Sequence, residues 1–336
     1  MNENKICENT EASPKIPVGA AIALGITAAL FCSLAGTPLG GILSLTVSAA
    51  LLGLLLTAEQ SFYAFLPIPF SYVLAVVFTG DPLLSLLCFL SVPGAFALRI
   101  CYSKKFCLSV TVIITAVCMG VSYALILLAD LYVAYGSVSD AFVAIKGTVG
   151  AAIDETFALL NELFAGEQNL LVITDETVYL FKKMLLMSAP GIFVILAQVS
   201  AYCAEKLMRA FSRLYRCSFV AQRPERVTLS LGAAIIFLVC YGMTSLFSGD
   251  TVIYYSAENL MMVTLPLASV AGMHSMFGKE SLFRQRGRTF IKISTILLCI
   301  MAFYASPLML FILFALWGSA GTVARAVLLR AMSKRD

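Results

Sequence analysis

The fold of this chain is decided by a charge-free stretch at residues 16–58, which reads IPVGAAIALGITAALFCSLAGTPLGGILSLTVSAALLGLLLTA. It contains no Asp, Glu, Lys or Arg, and the same holds for residues 61–80, 82–98, 106–129, 184–204, 227–249, 259–278 and 293–324. A helix needs about 20 apolar residues to cross a bilayer. The sequence therefore predicts an all-α, polytopic transmembrane helical bundle.

The composition agrees with this class and argues against several others. Of the 336 residues, 60% are hydrophobic and 12% are charged, whereas soluble domains carry about 25% charged residues. The net charge of +4 is not gathered into a basic tail, so we expect no nucleic-acid partner. The motifs HExxH, GxxxxGKS/T and GxSxG are missing, so we expect no enzyme and no catalytic residue. The ten cysteines form no CxxC pair and His274 is the only histidine, so we expect no metal site or cofactor.

Gly and Pro clusters between the apolar runs mark the ends of the predicted spanning helices. The sequence AGTPLGG at 35–41 separates the first two helices, and SP at 306–307 separates the last two. Ten spans are predicted, at 17–35, 39–57, 62–79, 82–98, 107–130, 185–206, 228–247, 254–276, 289–305 and 308–326.

The basic residues predict the orientation of these spans. Eighteen of the 23 Lys and Arg residues fall in four short stretches, at 99–105, 205–226, 279–292 and 325–336. An even number of predicted helices separates each stretch from the next, and short basic loops stay in the cytosol. We therefore expect both termini in the cytosol and ten crossings of the membrane.

This orientation places the long acidic segment outside the cell. The predicted parts are a cytosolic tail at 1–16, an N-terminal bundle at 17–130, an external segment at 131–183, a C-terminal bundle at 184–330 and a basic tail at 331–336. From Val138 onward the apolar residues of the external segment recur every three or four positions, which predicts an amphipathic helix. It is interpreted either as a structural cap or as a lid over an external opening.

Proline and glycine interruptions are the first candidates for a binding site. The sequence SVPGAF at 91–96 is echoed by SAPGIF at 188–193, and a helix kinks where proline removes a backbone donor. Such interruptions in corresponding segments indicate transporter sites, although ordinary kinks are the alternative. The sequence LPIPF at 66–70 predicts an irregular start to helix three and a regular helix from about Ser71. The resulting candidates for solute binding are Pro67, Pro69, Pro93, Gly94, Pro190 and Gly191.

Polar residues inside the predicted spans complete the candidate site. Glu258 and Asn259 lie about one turn inside the outer end of helix eight, and Gln198 lies near the middle of helix six. An ionisable residue in a spanning helix indicates function. For Asn259, hydrogen bonding across helices is the alternative, and Glu258 is close enough to the interface to reach water.

Two further patterns are candidates for docking partners. In helix one, Ala21, Gly25 and Ala29 recur every four residues, which suits either packing within the bundle or the approach of another membrane subunit. After helix six, Arg209, Arg213 and Arg216 form one basic stripe. Such a stripe favours binding to anionic lipid, with a protein partner as the alternative.

The small-residue first helix, the LPIPF sequence at 66–70 and the ENL sequence at 258–260 resemble the YybS-like family of bacterial polytopic membrane proteins, over residues 17–330. Residues 17–200 are similar to the substrate-binding S-components of energy-coupling-factor vitamin transporters. That resemblance implies binding of a small solute from outside. It also implies docking, through Ala21, Gly25 and Ala29, onto a membrane subunit with an ATPase module beneath it. The extra C-terminal helices and the acidic external segment depart from the S-component pattern.

These features, together with the resemblance, predict a transporter-like, multi-pass protein of the bacterial cytoplasmic membrane that binds a small solute or a membrane partner subunit. The alternative is a non-transporting scaffold that organises other membrane or envelope proteins. A polar interior near the proline interruptions favours the first reading, and a dry, tightly packed interior favours the second.

Overall fold

The structure is a computed structural model that describes residues 16–35, 41–164, 174–215, 217, 228–247, 251–277, 293, 296–301 and 306–332. These residues are almost entirely helical and include no β-strand, which confirms the all-α prediction. The α-helices are α1 (Val18–Ser33), α2 (Gly41–Thr57), α3 (Ser61–Phe65), α4 (Pro67–Thr79), α5 (Pro82–Ser85), α6 (Val92–Ser103), α7 (Leu108–Tyr135), α8 (Val138–Phe164), α9 (Asp175–Leu214), α10 (Leu231–Leu246), α11 (Val252–Phe277) and α12 (Pro307–Met332).

Several helical segments have the length and composition of membrane spans. By these two criteria the described residues contain five candidates, at Ser61–Thr79, Leu86–Ser103, Leu108–Tyr135, Asp175–Leu214 and Leu308–Met332. Shorter apolar helices are α1, α2 and α10. Large apolar side chains lie on the surfaces of these helices, among them Val77, which is 73% exposed, and Val117, which is 63% exposed. Such surfaces are typical of contact with lipid, and the chain is a membrane protein by this evidence. The predicted number and orientation of the spans stay predictions.

The contacts within the chain group it into two compact units. Unit 1 consists of Met1–Ser122 and Ser200–Pro224, and unit 2 of Tyr123–Val199 and Glu225–Asp336. The long helices α7 and α9 each contribute residues to both units. The predicted domain boundaries at 130 and 184 lie where the chain is expected to leave and re-enter the membrane, whereas these units are defined by contacts. The boundaries therefore stay predictions.

Unit 1 is built around α2, which packs against α1 and α6. Most residues of α2 are buried on every side of the helix, as expected for a helix that is apolar all round. Its hydroxyl groups are satisfied within the helix: Ser48 Oγ donates to the Ser44 carbonyl at 2.6 Å, and Thr57 Oγ1 donates to the Gly53 carbonyl at 2.6 Å. These two hydroxyl groups therefore need no hydrogen-bond partner on another helix.

The proline pair in unit 1 starts a helix earlier than predicted. Helix α3 ends at Phe65 and α4 begins at Pro67, so the irregularity is confined to Leu66. The predicted regular start near Ser71 is wrong, because Pro67 and Pro69 both lie in the first turn of α4. Backbone N–H groups in a first turn have no partner within the helix, so proline is tolerated there.

Unit 2 has a core formed by α10, α11 and α12. Gly272 in α11 and Gly318 in α12 bring the two backbones into contact: a Cβ on Gly272 would lie 1.8 Å from the Phe314 carbonyl oxygen, and one on Gly318 would lie 2.6 Å from the Ala268 carbonyl oxygen. Small residues allow this close approach between helices in membranes. The buried core residues are Phe237, Cys240, Ala257, Met261, Leu265, Ala268 and Ala315.

The predicted helix of the acidic segment is confirmed as α8. It begins where the Ser137 hydroxyl accepts the Asp140 backbone N–H at 3.1 Å, a side-chain cap of the first turn. The apolar face of α8 meets the beginning of α9, where Phe157 and Phe181 pack edge to face at 5.4 Å. The acidic face of α8 also contacts α9 through an ion pair, in which Lys182 Nζ lies 2.5 Å from Asp154 Oδ2. The cap and lid interpretations both accommodate these contacts.

Most of the predicted helix at 289–305 lies outside the described residues. Of this range the structure describes residues 293 and 296–301, and these are helical.

Candidate functional site

The polar side chains predicted in helices six and eight meet in unit 2, between α9 and α11. We call this contact the polar seam and define it by Ser188, Gly191, Gln198, Glu258 and Asn259. It lies beside Pro190, which is inside α9. Because proline has no N–H, the carbonyl of Leu186 loses its helical partner. The backbone of α9 is therefore locally short of hydrogen bonds at this point.

The amide of Asn259 binds the backbone of α9 beside Pro190. Its Oδ1 accepts the Gly191 N–H at 2.7 Å, and its Nδ2 donates to the Met187 carbonyl at 2.8 Å. Gly191 and Met187 are four residues apart, so an uninterrupted α-helix would join these same two groups to each other. The Nδ2 also donates to the Tyr255 carbonyl of its own helix, at 2.9 Å. Asn259 thus bridges α11 to α9, which is the packing alternative of the sequence analysis.

Gly191 is required for this bridge because nothing larger fits. A Cβ at this position would lie 2.7 Å from Met262 Sδ and 2.8 Å from Asn259 Oδ1. Both distances are shorter than real Cβ contacts, so the side chains of Met262 and Asn259 would both have to move. The Pro-Gly pair therefore has two separate roles: the proline removes one backbone donor from α9, which continues through it, and the glycine admits the side chains of α11.

Glu258 contacts a polar group on another helix, as the site hypothesis requires. Ser188 Oγ donates to Glu258 Oε2 at 2.8 Å. The Glu258 side chain is partly buried and Ser188 is buried. The carboxylate therefore lies against α9 rather than pointing only to the surroundings. This contact is compatible with a solute site, and the binding role itself stays a prediction.

Gln198 makes the reciprocal contact from α9 to α11. Its Nε2 donates to the Val263 carbonyl at 2.7 Å, three residues before Pro266, which lies inside α11. A proline disturbs the hydrogen bonds of the turn before it, so each helix receives a side-chain amide from the other near its proline. Pro266 is not among the residues predicted from the sequence. Gln198 Oε1 is buried and has no hydrogen-bond partner among the described residues.

The other proline candidates belong to unit 1 and have apolar neighbours. Pro93 and Gly94 lie in the first turn of α6 and are α-helical. The departure from α-helical geometry that was predicted at these two residues lies before them, in a 3-10 helix at Leu86–Ser91. A Cβ on Gly94 would lie 3.2 Å from both Ala49 Cβ and Met119 Cγ. Gly94 thus serves close packing with apolar side chains. The structure does not bring Pro67, Pro69, Pro93 and Gly94 together with the polar seam in one unit.

The small-residue stripe of α1 is covered within unit 1. Ala21 and Ala29 are fully buried, and a Cβ on Gly25 would lie 3.0 Å from the Tyr63 carbonyl oxygen and 3.1 Å from Pro67 Cγ. The stripe lies against the unit itself, since α1 packs on α2, α3 and α4. Packing within the bundle accounts for this pattern without a second subunit.

The predicted basic stripe is wrong for Arg209. Its side chain is 3% exposed and forms an ion pair with Glu205, one turn earlier on the same helix. Because this carboxylate neutralises the guanidinium, Arg209 is drawn inward instead of facing lipid. Arg213 is exposed, and Arg216 lies outside the described residues. Among the described residues, no cluster of three His, Cys, Asp or Glu side chains is arranged to hold a metal ion.

The comparisons with known proteins add no relative. No family model, no curated protein and no solved structure matches this chain. Its resemblance to the YybS-like family and to S-components therefore stays a prediction, and functional inference depends on the residues described above.

Proposed function

We propose that the chain is a multi-pass protein of the bacterial cytoplasmic membrane, with ten spans and both termini in the cytosol. Its function is transporter-like: it binds a small solute at the polar seam between α9 and α11. The membrane-length helices and the four basic loops support the membrane arrangement. The seam supports the binding function because it gathers polar groups of two helices beside two prolines.

The observation that carries this function is the contact between Glu258 and Ser188. A carboxylate in a spanning helix is unfavourable, by about 2.5–3.5 kcal/mol at the membrane centre and less near the interface. A single hydroxyl at 2.8 Å satisfies only part of its capacity to accept hydrogen bonds. The Leu186 carbonyl, deprived of its partner by Pro190, adds a further acceptor on α9. This surplus of acceptors favours a solute that carries hydrogen-bond donors or positive charge.

The second candidate is the non-transporting scaffold, and the amides of the seam favour it. Asn259 and Gln198 both bond to backbone groups of the facing helix. These contacts hold α9 and α11 together whether or not a solute binds. Docking of a membrane subunit or ATPase module, as the S-component resemblance implies, would have to use a surface other than the buried stripe of Ala21, Gly25 and Ala29.

Water access to the seam distinguishes the two functions. Single cysteines are introduced at Ser188, Glu258 and Leu260 in full-length protein lacking its ten native cysteines. Intact cells are then treated with a membrane-impermeant anionic thiosulfonate. Leu260 is the matched control because its side chain is 47% exposed but belongs to the apolar surface of the same helix as Glu258.

A solute site open to the outside predicts that cysteines at 188 and 258 react at least about tenfold faster than one at 260, because only a hydrated thiolate reacts. Equal, slow reaction at all three positions would show a closed seam and would favour the scaffold. Reaction at position 260 alone would mean that water reaches the surface of α11 that we assign to lipid, and it would reject the proposed site.

A further inference from the structure

A carboxylate and a tyrosine ring lie together near the beginning of α11 in unit 2. Tyr254 and Glu258 are four residues apart in this helix, so their side chains share one face. The Glu258 carboxylate and the Tyr254 phenol are close enough to interact electrostatically. Both residues are partly exposed, so the pair keeps a surface that a ligand can contact.

The carboxylate has no countercharge within the part of the chain that the structure describes. Its hydrogen bond there comes from the Ser188 hydroxyl, which donates to Oε2 at 2.8 Å. The ion pairs between described residues do not include Glu258. Its neighbours along the two helices are apolar: Met187 precedes Ser188, and Met262 follows Glu258 by one turn. An unpaired charge in apolar surroundings is unfavourable, so this position favours a bound cation.

The ring of Tyr254 is held beside this carboxylate. It packs edge to face against the ring of Tyr255, with the centroids 5.4 Å apart and the planes at 88°, and Tyr255 is buried. The Tyr254 N–H donates to Thr251 Oγ1 at 3.2 Å, which caps the first turn of α11. The face of an aromatic ring carries partial negative charge and attracts cations within about 6 Å of its centroid. The ring thus adds to the attraction of the carboxylate.

The chemistry of these groups favours an organic cation over a metal ion. Ca²⁺ takes about six to eight oxygens and Mg²⁺ needs about six in an octahedron. Glu258 and Ser188 supply few of these, and the amide oxygen of Asn259 already accepts the Gly191 N–H. An ammonium group needs fewer partners, because a charge-assisted hydrogen bond to one carboxylate and contact with one ring stabilise it.

We propose that the solute of the polar seam is an amine that carries a positive charge at pH 7. This inference rests on the proposed function and names the class of its solute. The ammonium group donates a hydrogen bond to Glu258 Oε1, the carboxylate oxygen that the Ser188 hydroxyl leaves open, and it lies against the ring of Tyr254. The charge of the solute thereby neutralises the carboxylate. A neutral solute can bond to the same oxygen but leaves the charge as it is.

The test uses the purified full-length protein in dodecyl maltoside at pH 7. The probes are phenethylammonium chloride and phenethyl alcohol, which differ only in their ammonium and hydroxyl groups. Binding is followed by the rise in the midpoint of thermal unfolding with probe concentration, because a ligand that binds only the folded protein stabilises it. Sodium chloride at equal concentration is the reference for ionic strength. We expect the ammonium probe to bind at least about tenfold more tightly than the alcohol.

Variants assign the binding to the two side chains. Glu258→Gln keeps an oxygen for Ser188 but removes the charge, so we expect the ammonium probe to lose its advantage over the alcohol. Tyr254→Leu removes the ring and should weaken binding of the ammonium probe about two- to fivefold, whereas Tyr254→Phe keeps the ring and should not. The matched control is Thr264→Val, whose hydroxyl bonds within α11 and which should bind both probes as the unaltered protein does. The thermal transition of each variant shows whether it folds.

Equal binding of the two probes, binding of neither, or an advantage that Glu258→Gln retains would overturn the assignment of an amine. Ammonium binding that Tyr254→Leu leaves unchanged would overturn the contact with the ring. The cysteine-labelling test of the seam keeps this result separate from the proposed function. Fast labelling at positions 188 and 258 together with equal probe binding would leave a solute site and overturn only the class of solute. Slow labelling with no probe binding would contradict both proposals.

Discussion

Replacing Asn259 by Leu tests the bridge between α9 and α11. The change removes the acceptor of the Gly191 N–H and the donor to the Met187 carbonyl, two interhelical hydrogen bonds of 2.7 and 2.8 Å. In membrane proteins such bonds contribute about 0.6 kcal/mol on average and about 1.7 kcal/mol at most. The two bonds together are therefore worth about 1–3 kcal/mol.

The lower part of this range is expected for a specific reason. Once the amide is gone, the Gly191 N–H and the Met187 carbonyl can bond to each other in an ordinary helical turn. That repair recovers part of the loss, so we expect Asn259→Leu to reduce the free energy of unfolding by about 1–2 kcal/mol.

The assay is equilibrium unfolding of the purified full-length protein by SDS in mixed micelles, followed by far-ultraviolet circular dichroism. The matched control is Thr264→Val, because the Thr264 hydroxyl bonds to the Leu260 and Met261 carbonyls of its own helix. We expect the control to change the free energy of unfolding by less than about 0.5 kcal/mol. If Asn259→Leu changed stability no more than Thr264→Val, the bridge would have no energetic role and the reasoning would be refuted.

Three other predictions concern packing, thiol chemistry and topology. Gly272→Ala should reduce the free energy of unfolding by about 1–3 kcal/mol, because its Cβ would overlap the backbone of α12, whereas Gly321→Ala, with open space around it, should be silent in the same SDS titration. Burial raises the pKa of the Cys217 thiol, so less thiolate is present at pH 7 and its reaction with maleimide, followed by peptide mass spectrometry, should be slow and should accelerate as the pH rises. A single cysteine near Asn161 should react with an impermeant reagent in intact cells, and one near Arg288 should react only after the cells are opened.

Each of these expectations has an outcome that contradicts it. Equal stability of the two glycine variants would mean that α11 and α12 do not approach as described. For the thiol, the reference is Cys107, which is partly exposed; reaction of Cys217 at the rate of Cys107 would show that it is accessible and ionised. Labelling at Arg288 in intact cells, or none at Asn161, would reject the topology.

The sequence predicts best where one period extends over many residues. Helix α8 runs from Val138 to Phe164, the same span as the apolar repeat, because a three-to-four-residue period over 27 residues has no other regular structure. The start of α4 was harder to predict. Prolines break a helix interior but fit its first turn, and the sequence alone does not say which of these positions Pro67 occupies.

Contacts between distant residues explain most of what the sequence did not predict. Asn259 and Glu258 are recognisable as unusual because they are polar within an apolar run, but their partners Gly191 and Ser188 are about 70 residues away. Arg209 is a different case. Its partner Glu205 is four residues earlier, a spacing that indicates an ion pair on one helix face. This spacing is visible in the sequence, and it predicts the position of Arg209 better than the regular spacing of the three arginines does.

The same limit applies to the contact of Tyr102 with the ion pair of Glu205 and Arg209 in unit 1. The hydroxyl of Tyr102 reaches Glu205 across 103 residues of sequence, and no local pattern predicts that contact. The burial of Glu205 and Arg209 depends on how α6 packs beside α9. The apolar composition of the two helices does not determine that packing. Sequence patterns thus identify the residues that are unusual in a membrane helix, and the packing decides what they bind.

The claim that the polar seam binds a small solute is tested most directly by native mass spectrometry of the protein purified from its own membranes. We expect the unaltered protein and Thr264→Val to carry the same small-molecule adduct, and Glu258→Gln to lose it while still folding. An identical spectrum for all three proteins, with no adduct or with one that Glu258→Gln retains, would contradict solute binding at the seam.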